Sequence, residues 1–306
     1  MTHTLPIDNA AVSPDAPVFP WERLTVYGAI VAASAMAWVG VWVFAMDHAA
    51  VDGGVTNLGP GMEMVDQVLV WAGYSAFPPG SIWSEICRAV IASSGTDAGR
   101  WTIEQSALVL AMWMVMAIGM MLPTAAPVIA AYSDINQAAA TKGMPSAPTA
   151  VFASGYLLVW VGLGVGVTML QWLISDTFAQ SASLLDVAPV VGGVVLIMAG
   201  LYQWSALKEA CLSQCRSPMK YFLLHWREGK IGAVRMGMQH GLYCAGCCWA
   251  LMAIMFVGGT MNLVWMAILS VIMLFEKILP KGQFFGRVIG VVLVVWGLSL
   301  ITTVIS

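Results

Sequence analysis

The chain has 306 residues, of which 59% are apolar and only 9% charged, and its mean hydropathy is +0.82. A water-soluble domain carries about 25% charged residues to cover its surface, so this composition excludes one and predicts a membrane protein. The formal net charge of −3 argues against nucleic acid as a partner.

Residues 1–20 hold Pro, Ala and Asp without an apolar period and read as a disordered cytoplasmic tail. The tail lacks the positive start of a cleavable signal peptide, and the first apolar run is long enough to span. Seven segments, 24–46, 103–122, 151–174, 187–205, 241–259, 261–275 and 286–305, reach or approach the length of a bilayer crossing, about 20 residues. The sixth is short, and Gly258-Gly259 leave open a single span with a re-entrant piece in place of a tight hairpin.

Charge placement separates the two. With seven spans and the N-terminus inside, the cytoplasmic side holds Arg23, Lys142, Lys208, Arg216, Lys220, Arg227, Lys230, Arg235, Lys277, Lys281 and Arg287, and the outside only Arg88 and Arg100. That is a strong positive-inside asymmetry, and merging spans five and six would spoil it. The expected fold is therefore all-α: a polytopic transmembrane helical bundle of about seven spans, N-terminus cytoplasmic and C-terminus outside. Residues 21–306 form its single domain, with an outer segment 47–102 and a cytoplasmic loop 206–240.

In the outer segment Gly53-Gly54, Gly59-Pro60-Gly61 and Pro78-Pro79-Gly80 mark turns. Ile82, Trp83, Ile86, Val90 and Ile91 recur at helical spacing, as in an amphipathic helix on a membrane surface, and Cys87 sits there as a lone thiol. Met112, Met116 and Met120 line one face of span two, either packing irregular gaps or handing on a soft metal. Pro123 and Pro127 are expected to end or kink that span. Gly155, Gly162, Gly164 and Gly166 of span three allow close helix approach. Gln171 and Asn262 are each expected to satisfy a neighbouring helix. In the cytoplasmic loop, Ser217-Pro218 starts an interfacial helix that Gly229 ends.

The chemistry concentrates between Lys208 and Trp249, where five of the six cysteines lie. Cys211 and Cys215, four apart, share a helix face. His240, Cys244 and Cys247 fall within an arc of about 60°, with Cys248 at its edge. Two faces of thiol and imidazole suit a soft metal ion, copper ahead of zinc. His240 and Cys247 lie about 10 Å apart along an unbroken helix, so either Gly241 and Gly246 loosen it or the ligands divide. The preferred set is Cys211, Cys215, Cys244 and Cys247, with His240 or Cys248 as substitute or second-ion ligand. Met236 would extend the face and favour Cu(I). Clustered thiols in a reducing cytoplasm are free or metal-bound. The enzymatic alternative is a membrane thiol-disulfide oxidoreductase cycling Cys244, Cys247 and Cys248, and a metal transporter is a further one. No phosphate loop, dinucleotide fingerprint or serine–histidine–carboxylate set can be drawn, and few ionisable residues fall within the spans.

Lys208-Glu209-Ala210-Cys211-Leu212, Cys215-Arg216, Pro218, Trp226-Arg227, Gly229, His240-Gly241, Tyr243-Cys244 and Gly246-Cys247-Cys248-Trp249 together resemble an uncharacterised bacterial family described as predicted metal-binding integral membrane proteins. Met120-Met121, Pro123 and Pro127 are similar to its earlier motif, and Glu276-Lys277, Pro280 and Gly282 to its later one. The resemblance covers about residues 105–300 and implies a metal-binding protein of the bacterial inner membrane. Its partners would be the lipid bilayer and a metal donor or acceptor protein.

Overall fold

A computed structural model describes residues 20–51, 103–178, 188–258 and 263–305. The tail, the surface helix with Cys87 and Asn262 lie outside the described residues. Among the described residues the regular structure is entirely helical: α1 (Pro20–Val51), α2 (Ile103–Thr141), α3 (Thr149–Phe178), α4 (Ala188–Tyr202), α5 (Ala206–Arg216), α6 (Pro218–His225), α7 (Gly229–Ala253), α8 (Met255–Gly258), α9 (Leu263–Ile278) and α10 (Gly282–Ile305).

Among the described residues, four helices are long and apolar enough to cross a membrane, and α4 with α5 adds a fifth if that bent pair is one span. The expectation of seven exceeds this for two local reasons. α9 has only 16 residues, and the apolar content of α7 is diluted by its glycines, Gln239 and His240. The outward faces are apolar: Val31, Val39, Leu173, Val191, Val292 and Val295 are all exposed.

The prolines do not end the second span. α2 runs through both Pro123 and Pro127. Proline removes the N–H that would bond the carbonyl four residues back, which for Pro123 is that of Gly119. That carbonyl instead accepts from Ser34 Oγ at 3.0 Å and from Trp38 Nε1 at 3.2 Å, both on α1. Next to it, Met121 O accepts from Thr124 Oγ1 at 2.8 Å and from Tyr156 OH at 3.2 Å. Neighbouring helices re-satisfy the interrupted backbone, the usual condition for proline inside a buried helix. The start of α1 is tied to α2 by Arg23, whose Nε donates to both Asp134 carboxylate oxygens at 2.8 Å.

Small residues set the closest helix contacts. α4 and α10 pack extensively. A Cβ on Gly200 would stand 2.7 Å from Gly290 O, and one on Gly297 2.6 Å from Gly193 O. α3 meets α7 where Gly155 abuts the Val234 carbonyl and Gly237 abuts that of Phe152. Of the other glycines expected to matter on α3, Gly164 faces Leu110 while Gly162 and Gly166 meet nothing within 4 Å. Gln171 accepts from Trp113 Nε1 at 2.8 Å, the interhelical role expected of it.

The fourth apolar segment does not continue straight into its cysteines. α4 and α5 meet at a bend of 62°, where Ser205 accepts the Lys208 N–H as the N-cap of α5. α6 starts at Pro218 as expected but ends at His225. Gly229, at φ +73°, turns the chain into α7, a conformation glycine adopts without strain. This folds α5 back against α7, and Tyr221 of α6 reaches Met236 of α7.

Candidate metal centre

α7 carries the centre of the site. His240, Cys244, Cys247 and Cys248 are each at most 1% exposed, and the helix is continuous from Gly229 to Ala253. Neither Gly241 nor Gly246 loosens it; each admits a neighbour instead, a Cβ on Gly246 meeting Cys211 Sγ at 2.7 Å. That contact seats α5 on α7. One turn on, Cys215 is buried and interacts through its side chain with both Cys244 and Cys247. Cys211 keeps partial exposure.

The thiols are held by the backbone as well as by one another. Cys247 Sγ and Cys248 Sγ each donate to Cys244 O at 3.0 Å. The Cys244 sulfur lies at the hub of a polar cluster. Lys277 Nζ of α9 donates to it at 3.1 Å and to Thr124 Oγ1 of α2 at 2.7 Å. Tyr156 OH of α3 lies 3.2 Å from the same sulfur. Four helices thus converge on one thiol. All five described cysteines are free. Among the described residues, no three His, Cys, Asp or Glu side chains are already disposed around one point as metal ligands.

His240 precedes Cys244 by one turn, in a box of rings formed by Phe152, Tyr156 and Tyr221. Its Nδ1 is buried without a hydrogen-bond partner. A buried polar atom left so is costly, and an imidazole nitrogen without a proton partner is a ready ligand for a soft or borderline ion. Tyr221 OH donates to Met236 O at 2.5 Å, and burial raises its phenol above the ordinary range. Met236 Sδ accepts from Arg227 N at 3.3 Å, so its thioether is engaged with the loop. Met112, Met116 and Met120 are all buried on α2.

Ionisable residues just beyond the expected spans are nevertheless buried. Lys277 is only 8% exposed, and beside it Glu276 pairs with Lys208 of α5, at 2% and 3% exposure. Lys208 Nζ lies 2.7 and 2.9 Å from the two Glu276 oxygens and is also bonded to Gln203 at the α4–α5 bend. By residue type and position, at the ends of apolar segments, these lysines look like interfacial anchors. Only the packing of α5 and α9 buries them. Lys277, Thr124, Tyr156 and Met121 were all missed as site residues, although Glu276-Lys277 stood out as a motif.

No curated protein and no solved structure matches the chain. A family comparison does, over residues 110–300, which include every element converging on Cys244. Tyr156, Cys215, Cys244 and Lys277 all fall inside that span, as does the partially exposed Cys211. The chain belongs to the PpoB2 copper chaperone family.

Proposed function

We propose that the protein is an integral membrane Cu(I) handler that carries its ion as cargo on the α5–α7 thiols. Cys244 and Cys247 supply the two thiolate ligands with Cys215 beside them as a neutral thiol, His240 stands apart as the divided ligand because α7 is unbroken between it and Cys247, and Cys211 is the entry thiol. The observation that carries this reading is the Cys244 sulfur, which faces Cys215 across a helix contact and a buried ammonium at 3.1 Å. Thiolates are the soft donors that select Cu(I). Cu(I) on two thiolates has a net charge of −1, and Lys277 provides the compensating charge that a low-dielectric interior demands. Family membership supports copper over zinc.

The apolar outer faces support residence in a bilayer. In this reading α7 and α9 add to α1, α2, α3, the bent α4–α5 pair and α10 to make seven crossings. The charge asymmetry supports placing α5 and α6 on the cytoplasmic side of a bacterial inner membrane, with the C-terminus outside. A copper donor or acceptor protein would meet the site at Cys211, among the described cysteines the one with partial access to the surface. Thiol–disulfide exchange is the weaker reading, because it needs an accessible attacking sulfur and Cys244, Cys247 and Cys248 are mid-helix and buried.

Anaerobic titration of the purified chain with Cu(I), against a chromophoric Cu(I) chelator, tests the proposal. Wild type should compete for the ion, and the Cys244→Ser/Cys247→Ser double variant should lose that competition. A double variant that withholds copper as strongly as wild type would refute the assignment.

A further inference from the structure

Beside the cluster lies a second pair of sulfurs with no evident structural need. Cys248 is 1% exposed and Met121 fully buried. The thiol points across the α7–α2 contact, its Sγ donating to Met121 Sδ at 3.7 Å as well as to Cys244 O at 3.0 Å. With metal–sulfur bonds of about 2.3 Å, two sulfurs 3.7 Å apart subtend an angle of about 107° at an ion between them. Two-coordinate Cu(I) favours a wider angle, which about 1 Å of adjustment by the flexible Met121 side chain supplies without moving either helix.

We infer that Cys248 and Met121 form a second Cu(I) subsite, on the α2 side of the thiol cluster, to which the ion passes from Cys244. The inference rests on the cluster reading and extends it to a route. The chemistry balances without an added charge. Cu(I) replaces the Cys248 proton: the S–H bond breaks with its electron pair staying on Cys248, a Cu–S bond forms there as the Cu–S bond to Cys244 breaks, and the proton passes to the vacated Cys244 thiolate. The oxidation state of copper does not change. A thiolate, a neutral thioether and Cu(I) together carry no net charge, so this subsite needs no counter-ion of its own. By contrast, the dithiolate cluster has Lys277 beside it. An ion moving from cluster to pair thus leaves an anionic, ammonium-stabilised site for a neutral one. The Met121 carbonyl is held by Thr124 and Tyr156, and Tyr156 also touches the Cys244 sulfur.

The test uses the full chain labelled with selenomethionine, purified in detergent, loaded anaerobically with Cu(I) and read by copper-edge X-ray absorption. The expected result is a copper–selenium shell and a capacity of about two ions per chain, one for the cluster and one for the pair. Met121→Leu should abolish the shell and reduce the capacity to about one, with unchanged helix content by circular dichroism. A loaded wild-type protein without copper–selenium scattering overturns the inference by itself, whatever the variant does, and leaves the cluster reading standing. So does a shell that persists in Met121→Leu. A shell that persists together with full copper capacity in Cys244→Ser/Cys247→Ser leaves the pair standing and sinks the cluster, whereas wild type binding no copper sinks both.

Discussion

Lys277→Gln isolates the electrostatic part of the copper site. Lys277 Nζ stands 3.1 Å from Cys244 Sγ and donates to Thr124 as well. Glutamine keeps an N–H donor while removing the charge. In the proposed site the excess negative charge is spread over two thiolates about 4 Å apart, so its centre lies about 5 Å from the ammonium. At an effective dielectric constant of about 20, a unit pair at that distance is worth about 3 kcal/mol. Loss of the charge should therefore weaken Cu(I) binding more than about a hundredfold. The assay is competition with a chromophoric Cu(I) chelator at fixed pH, with circular dichroism to verify that helix content is unchanged. Because the desolvated lysine is itself costly to bury, the variant should fold at least as stably without metal. An affinity within about threefold of wild type, a change worth less than about 0.7 kcal/mol, would refute the claim that this ammonium balances a thiolate-bound ion.

Two further predictions concern the frame around the site. Lys208→Met leaves Glu276 buried without its partner and should cost about 3–5 kcal/mol, most of it recovered in Lys208→Met/Glu276→Leu. Denaturant unfolding in detergent would show this, and simple addition of the two single losses would sink it. Gly237→Ala would drive a methyl into the Phe152 carbonyl and the Tyr156 N–H. Forcing α3 from α7 should cost at least about 1–3 kcal/mol and weaken copper binding by moving Tyr156 away from Cys244, whereas Gly162→Ala, with open space around it, should change neither the melting temperature nor the affinity.

The difference between these glycines illustrates what pattern alone can convey. Gly155, Gly162, Gly164 and Gly166 are equivalent as small residues in an apolar run, yet only Gly155 touches a neighbouring backbone. Which one matters depends on how α3 is rotated against α7. Pro123 and Pro127 give the converse lesson. Proline chemistry predicts an end or a kink, and α2 does not end there, with donors 81 to 85 residues away reaching the Gly119 carbonyl. No local pattern contains those donors.

The sequence by itself determined the helical class, the apolar exterior and the crowding of thiols between Lys208 and Trp249. These follow from composition and from a period of 3.6 residues, properties of the chain before it packs. It also identified Glu276-Lys277 as a motif, without indicating which way either side chain faces. Only the tertiary structure decided that Lys277 turns inward to Cys244 and that Glu276 turns to Lys208. It also decided that Cys215, rather than Cys211, meets the α7 thiols from within. The reason is geometric. A charge at the end of an apolar segment can lie in water or be buried against an opposite charge, and beyond the 62° turn between α4 and α5 Lys208 and Cys215 both lie buried.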